Sequence, residues 1–387
     1  MRFSQRVQSL PPYLFAEIER KVAARRAAGV DIISLGIGDP DLPTPPHVVE
    51  ALTAGAHDTA THQYPSNRGE LAFREAVAGY YERRFGVPLD VESEIVPLLG
   101  AKEGVAHVCL ALLDRSDVCL SADPGYPVYT TGPLLADGTA VHLPLVPELG
   151  FQPDLEAIEP SVLATAKMIF VCYPNNPTGA VIEDDFFARL VAFAREHDVV
   201  VVHDNAYGDI TFDGYVAPSF LETPGAKEVG VELFSLSKSY NMTGWRAGAI
   251  VGNKDVVDAY WRLKTNMDSG MFGAVQRAAT AALNGPQDCV RHMCVTYRRR
   301  RDLLVEALRG IGMQAPTPKG TIYLWVPVPE GHTSASFTEL VMNQADVIIS
   351  PGAAYGPSGE GYVRFSLTVP DARLEEAVRR IAERVRL

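Results

Sequence analysis

The sequence contains no run of about 18 consecutive apolar residues, the length that a membrane-spanning helix requires. Its first residues, Met1-Arg-Phe-Ser-Gln-Arg-Val7, include no apolar signal core and no small-residue cleavage site, so a cytoplasmic protein is expected. Cysteine is sparse: Cys109, Cys119, Cys172, Cys289 and Cys294 form no C-x-x-C pair. Their odd number and apolar neighbours point to reduced, buried thiols rather than to a disulfide framework. The nine histidines show no H-E-x-x-H or comparable ligand spacing, and no metal is expected. There is no basic arm either. Lys and Arg number 35 against 47 Asp and Glu, a net charge of −12, which argues against nucleic acid and against an anionic membrane surface. It leaves open a small anionic substrate, because one arginine can dominate a local site. No internal repeat or low-complexity segment is present.

What the chain does have is length and apolar content. With 387 residues, 47% apolar and 21% charged, it can bury a sizeable core in two domains. A helix is predicted over 13–29, then a short strand in Ile32-Ile-Ser-Leu-Gly-Ile-Gly38. The proline-dense stretch Asp39-Pro-Asp-Leu-Pro-Thr-Pro-Pro46 must be loop. Predicted helices over 47–56, 69–85 and 101–113 alternate with apolar runs such as Val118-Cys-Leu-Ser121. The clearest unit runs from 168 to 204: a strand at Met168–Tyr173, the turn Pro174-Asn-Asn-Pro-Thr-Gly179, a helix over 184–197, and Val199-Val-Val-Val-His-Asp204. Both strands are apolar throughout, as in a parallel sheet covered on two faces. Residues 275–310 read as one long Arg-rich helix joining two domains. Strands are then expected in 320–328, 347–350 and 362–367, with a closing helix over 371–386.

In open α/β sheets, ligands sit beyond the carboxyl ends of the strands. Several chemistry-bearing residues fall there. Asp204 ends the Val-rich strand, with Tyr207 three residues on; Asn176 follows the strand 168–173; Lys238 follows Val231-Glu-Leu-Phe-Ser235. Gly100-Ala-Lys-Glu-Gly104 follows Ile95-Val-Pro-Leu-Leu99 and opens a helix, whose free N–H groups suit a phosphate. An ordinary strand–helix turn would look the same. Ser235-Leu-Ser-Lys-Ser-Tyr-Asn-Met-Thr-Gly-Trp-Arg-Ala-Gly248 is the most informative stretch. A lysine that reacts with an aldehyde cofactor needs a flanking anion site, and Ser235, Ser237 and Arg246 can supply one. A solvated Lys–Arg loop is the alternative reading.

The stretch around Lys238 resembles the lysine motif of class I/II aminotransferases, the fold type I enzymes that use pyridoxal 5'-phosphate. Matching motifs follow in the family's order from about residue 30 to 370. The resemblance implies an α/β, fold type I architecture: a large domain with a mostly parallel open sheet covered by helices, and a smaller α+β domain. It divides the chain into 1–45, an N-terminal arm and part of the small domain; 46–285, the large cofactor-binding domain; and 286–387, the small C-terminal domain. It assigns Lys238 to the cofactor aldehyde, Asp204 to the pyridine nitrogen, and Tyr207 and Asn176 to the ring oxygen. It assigns Gly100, Ala101, Lys102, Ser235, Ser237 and Arg246 to the phosphate, and Tyr126, in Asp123-Pro-Gly-Tyr-Pro-Val-Tyr129, to stacking on the ring. Tyr64, in His62-Gln-Tyr-Pro-Ser-Asn-Arg-Gly69, matches the tyrosine that reaches the phosphate of a neighbouring subunit, which implies a homodimer. Arg364 matches the arginine that grips the substrate α-carboxylate, and Gly38 the loop that closes over substrate. Taken singly, these residues also fit a loop-capping aspartate, a plain N-P-T-G turn, a core tyrosine in a surface turn and a strand arginine facing water.

Leu35-Gly-Ile-Gly-Asp-Pro-Asp41, Asp268-Ser-Gly-Met-Phe272 and Gly356-Pro-Ser-Gly-Glu-Gly-Tyr362 are similar to sequences of the LL-diaminopimelate aminotransferase type. Lys264-Thr-Asn-Met-Asp-Ser-Gly-Met-Phe272 holds no arginine to read a dicarboxylate side chain, unlike the aspartate aminotransferase pattern. The expected reaction moves an α-amino group between an amino acid and a 2-oxo acid such as 2-oxoglutarate. Alternatives are a broad-specificity, aspartate, alanine or aromatic aminotransferase, a β-elimination lyase of the same fold, and a non-catalytic ligand-sensing regulator. The last is disfavoured by the missing basic helix-turn-helix extension.

Overall fold

A computed structural model of the chain describes residues 1–12 and 14–386, with the side chains of all of these except Leu14 and Phe15. Tyr13, the first residue of the helix predicted over 13–29, lies outside the described residues; the helix itself runs Leu14–Ala27. Among the described residues twelve strands follow in chain order: β1 (Ile33–Ser34), β2 (Ile95–Leu98), β3 (Val118–Asp123), β4 (Thr139–Pro144), β5 (Ala166–Val171), β6 (Val200–Asn205), β7 (Gly230–Ser235), β8 (Gly248–Gly252), β9 (Tyr323–Pro327), β10 (Val347–Ile348), β11 (Ser350–Pro351) and β12 (Tyr362–Ser366).

The main sheet has seven strands in the order β2-β8-β7-β6-β5-β3-β4. Only β8 runs against its neighbours, pairing antiparallel with both β2 and β7. The carboxyl ends of β2, β3, β5, β6 and β7 therefore open on one edge. β3, β7 and β8 are buried at every position. Helices explain this. Ala101–Leu112 buries Ala101, Gly104, Val105, Val108 and Cys109, one face at helical spacing. Each fully buried Val or Leu in such a face contributes about 1.5–3 kcal/mol. β4 is an edge strand that is mostly half-buried or exposed, and β8 is the short run Gly-Ala-Ile-Val-Gly; neither carries a clear periodic signal.

The helix expected over 275–310 is two helices, Gly273–Asn284 and Asp288–Gly310. The break falls at Gly285-Pro286, because Pro286 has no N–H to donate and its ring clashes with the preceding turn. Gln287 Nε2 caps the frayed end, donating to the carbonyls of Ala282 (3.0 Å) and Gly285 (2.8 Å). The run 347–350 also divides. β10 pairs parallel with β1, while β11 pairs with β12 in the antiparallel sheet β11-β12-β9. Ile33 and Ser34 thus join the carboxyl-terminal third of the chain. Buried Arg300 pins the proline-rich loop beside them, donating to Asp41 Oδ1 (2.7 Å) and Oδ2 (2.9 Å), to Asp371 Oδ1 (2.7 Å) and to the Leu367 carbonyl (3.0 Å). All five thiols are free; Cys109, Cys119 and Cys172 are buried as expected, whereas Cys289 and Cys294 are only half-buried. No helix among the described residues is long and apolar enough to cross a membrane.

Candidate active site

A cavity of about 490 Å³ opens where the sheet's carboxyl edge meets the loop 37–39. Gly38, Ala101, Lys102, Tyr126, Asn176, Asp204, Tyr207, Ser235, Ser237, Lys238 and Arg246 line it, so most of the residues singled out in the sequence converge. Gly100, Arg364 and Tyr64 do not line it. Gly100 adjoins it, with φ +84; a Cβ there would lie 2.1 Å from Arg246 Nη2, so only glycine lets the arginine reach the start of the helix Ala101–Leu112. Arg364 lies behind the wall. Tyr64 is 87% exposed, away from this cavity.

Lys238 sits on the short helix Leu236–Ser239 just beyond β7, and its Nζ donates to the Gly38 carbonyl at 2.5 Å. Burial of the ammonium lowers its pKa below the ordinary lysine value; Tyr323 and Asp39 oppose that shift, while Arg364 and Arg246 add to it. Ser235 caps the same helix, its Oγ accepting from the Ser237 N–H at 3.2 Å. Arg246 takes a left-handed backbone (φ +56), uncommon for a side-chain-bearing residue, and donates to the Thr243 carbonyl at 2.7 Å.

Asp204 lies near the end of β6. Its Oδ2 accepts from the Tyr129 hydroxyl at 2.8 Å, while Oδ1, buried, has no hydrogen-bond partner among the described residues. Burial raises its pKa above the ordinary carboxylate value, against the pull of Tyr129 and His203. Tyr207 shares a 3.2 Å hydroxyl contact with Tyr323, and burial, then Tyr323, holds its pKa well above the usual phenol value. Asn176 Oδ1 accepts from Arg364 Nη1 at 2.8 Å. Arg364 is fully buried; its Nη2 donates to the Gly36 carbonyl at 2.8 Å, and its guanidinium carbon lies 3.9 Å from the Tyr323 ring centre and 4.7 Å from that of Tyr355.

Sequence reasoning missed Tyr129, Tyr323, Asp39, Thr243 and Glu19. Tyr129 stood inside the quoted motif ending at that residue, and position alone could have marked it. Tyr323 and Glu19 carried no signal, since only the tertiary fold brings them here. Away from the cavity, Glu103, His107 and Asp268 bring possible ligand atoms within 4.8 Å of one another. The Lys264 ammonium already donates to Glu103 (2.9 Å) and Asp268 (2.8 Å), filling that place with a cation.

These groups fit pyridoxal phosphate on three observations. An unpartnered buried carboxylate oxygen faces the cavity and suits a protonated ring nitrogen. A helix start, two serines and an arginine, with a positive-φ glycine whose Cβ would displace that arginine, suit a phosphate. A desolvated lysine amine lines the same cavity. The amino-acid sequence matches the aminotransferase class I and II family over residues 30–381. It is 54% identical over 381 residues to the LL-diaminopimelate aminotransferase of Moorella thermoacetica, covering 98% of each chain. In structure it resembles substrate-bound BacF from Bacillus subtilis, with a TM-score of 0.95 and 38% identity over 99% of this chain and 98% of that one. Aspartate aminotransferase from Thermus thermophilus with maleate superposes with a TM-score of 0.91 and 31% identity, covering 99% of each chain. Motif order, cavity chemistry and full-length likeness agree, and the chain belongs to the class I and II aminotransferases, fold type I enzymes that depend on pyridoxal phosphate.

Proposed function

We propose that this aminotransferase moves the α-amino group between LL-diaminopimelate and 2-oxoglutarate. The observation that carries the substrate is the 54% identity, across 98% of both chains, to the Moorella thermoacetica enzyme of that name. The cavity lining supports it. Glu19 and Asp39 add negative charge to it, which suits the distal ammonium of the diaminopimelate side chain.

Bound pyridoxal phosphate supplies an aldehyde that accepts the amino group and a ring that draws electrons from the substrate Cα. Arg246, Ser235, Ser237, Lys102 and the N–H groups at Gly100 and Ala101 hold its phosphate. Asp204 Oδ1 keeps the ring nitrogen protonated, and Tyr129 keeps that carboxylate aimed. Tyr207 and Asn176 donate to the ring oxygen, and Tyr126 stacks on the ring face. Arg364 offers a planar fork to the substrate α-carboxylate, which fixes the direction of the Cα–H bond. Gly38 and its loop exclude water above the site. Lys238 takes the proton from the substrate Cα and returns it, since burial favours its neutral amine.

Tyr64, Met267 and Phe272 are exposed apolar side chains, and Gly270 lies against Pro65 and Ser66. This face supports a homodimer in which Tyr64 crosses to the partner's phosphate. The division into an arm (1–45), a large domain (46–285) and a small domain (286–387) agrees with β1 pairing to β10 and with the break at Pro286. The protein acts in the cytoplasm on small-molecule substrates.

Ile37, Tyr126 and Ala206 also line the cavity, which favours a broader donor range as the second reading. An apolar wall rejects a poorly fitting group by only about 1–3 kcal/mol. Relative kcat/KM for LL-diaminopimelate, aspartate, alanine, glutamate and phenylalanine with 2-oxoglutarate decides. An inert diaminopimelate beside a fast alternative donor sinks the substrate proposal.

A further inference from the structure

Tyr323 opens β9 and is 3% exposed, yet it meets three parts of the site: Arg364, Tyr207 and the loop at Gly38. Its ring lies 3.9 Å beneath the Arg364 guanidinium carbon, with Tyr355 on another side at 4.7 Å. Its ring and that of Tyr207 meet edge to face, with centres 5.7 Å apart and planes at 70°. Its hydroxyl is 3.2 Å from the Tyr207 hydroxyl. The same hydroxyl fills the space above Gly38, where a Cβ would fall 1.9 Å from it. Gly38 in turn receives the Lys238 hydrogen bond. One side chain therefore backs the carboxylate-binding arginine, meets the cofactor tyrosine, and sets how close the loop 36–38 approaches the lysine.

We propose that Tyr323 is a positioning residue of amino transfer: its ring fixes the plane of the Arg364 fork, and its hydroxyl donates to Tyr207. The inference rests on the roles given above to Arg364 and Tyr207. Proton counting fixes the direction of the hydroxyl contact. Tyr207 has one proton. When it spends that proton on the cofactor ring oxygen, the proton in the 3.2 Å contact must come from Tyr323. Accepting that bond makes Tyr207 a better donor, which stabilises negative charge on the ring oxygen. The ring acts independently of the hydroxyl. A buried guanidinium over an aromatic face is attracted to it and loses freedom to tilt.

Two variants separate these effects. Tyr323→Phe keeps the ring and removes the hydroxyl. The pH midpoint of the bound cofactor's absorbance change then moves upward by about half a unit, the threefold change in equilibrium that one neutral hydrogen bond supplies. KM for the amino donor stays within about twofold. Tyr323→Leu removes the ring as well, and KM for donor and acceptor both rise about tenfold, because the arginine fork is no longer held flat. A double-mutant cycle of Tyr323→Phe with Tyr207→Phe on the absorbance midpoint reads the coupling directly, and additive shifts overturn the hydroxyl assignment. An unchanged midpoint in Tyr323→Phe together with an unchanged KM in Tyr323→Leu overturns the proposal as a whole. The controls Tyr207→Phe and Arg364→Lys test the underlying roles. If Tyr207→Phe leaves the midpoint in place, or Arg364→Lys leaves KM in place, it is the reading of those residues that fails.

Discussion

Replacing Tyr129 with Phe tests how Asp204 works. The ring stays, and with it the stacking on Phe170 at 4.9 Å between centres. What goes is the hydroxyl that donates to Asp204 Oδ2 at 2.8 Å. A hydrogen bond to a charged group contributes about 1.5–3 kcal/mol, more than a neutral one. If the carboxylate needs that bond to stay ionised and aimed, the loss appears in the barrier and cuts kcat about 10- to 150-fold. The pH dependence carries the sign. Burial already raises the Asp204 pKa, and Tyr129 is the largest influence opposing that rise. Without the hydroxyl the carboxyl takes up its proton at higher pH. The acid limb of the kcat profile therefore moves up, and the defect is deepest on the acid side and shrinks as pH rises. Single-turnover rates of the amino-acid half reaction across pH provide the assay. A uniform loss with no movement of the acid limb, or no loss at all, refutes the reasoning.

Lys238→Ala is expected to fold and to bind the cofactor loosely while losing the borohydride-fixed bond to it, checked by mass spectrometry of digested protein; a fixed adduct on another lysine contradicts the role. Asp204→Asn should abolish turnover yet raise the Tm of the cofactor-free chain at neutral pH. The folded-state pKa of Asp204 is raised, so its ionisation opposes folding above the ordinary carboxylate value and not below it; the gain should vanish near about pH 3. Calorimetry at the two pH values decides. Tyr64→Phe should weaken phosphate retention only in assembled protein. Mixed with Lys238→Ala subunits, it should give sites of two qualities, and a fully active monomer in sedimentation rules out the shared site.

Much of the site was legible because its residues stand where a chain running through a parallel sheet must turn. Asp204, Ser235, Asn176 and Ala101 each follow an apolar run, and the fold delivers all of these ends to one edge. Local sequence order is enough to find such residues. The break at Gly285-Pro286 was equally open to reading, since Pro286 forbids a continuous helix whatever its surroundings. Reading 275–310 as one helix gave the Arg-rich periodicity too much weight over that single backbone constraint.

Tyr323 and Glu19 belong to a different kind of information. Neither lies in a turn after a strand of the main sheet. Tyr323 reaches the site because β9 pairs with β12, which sets Trp325 opposite Arg364 and leaves Tyr323 beneath the guanidinium. Register across an antiparallel pair depends on which side chains each strand buries, and a one-residue slip would turn Tyr323 to the other face. Glu19 arrives because Ile18 and Val22 pack against Ile32 and Ile348, which leaves Glu19, next along the helix from Ile18, lining the cavity. Residues that hold cofactor or substrate are constrained by chemistry at fixed points of the chain, and short motifs record them. Residues that hold those residues are constrained by packing between distant segments, and a single sequence records packing only as hydrophobicity. Tyr323 satisfies both demands at once, an apolar ring in the core and a hydroxyl in the site, so it looks in sequence like any other buried aromatic.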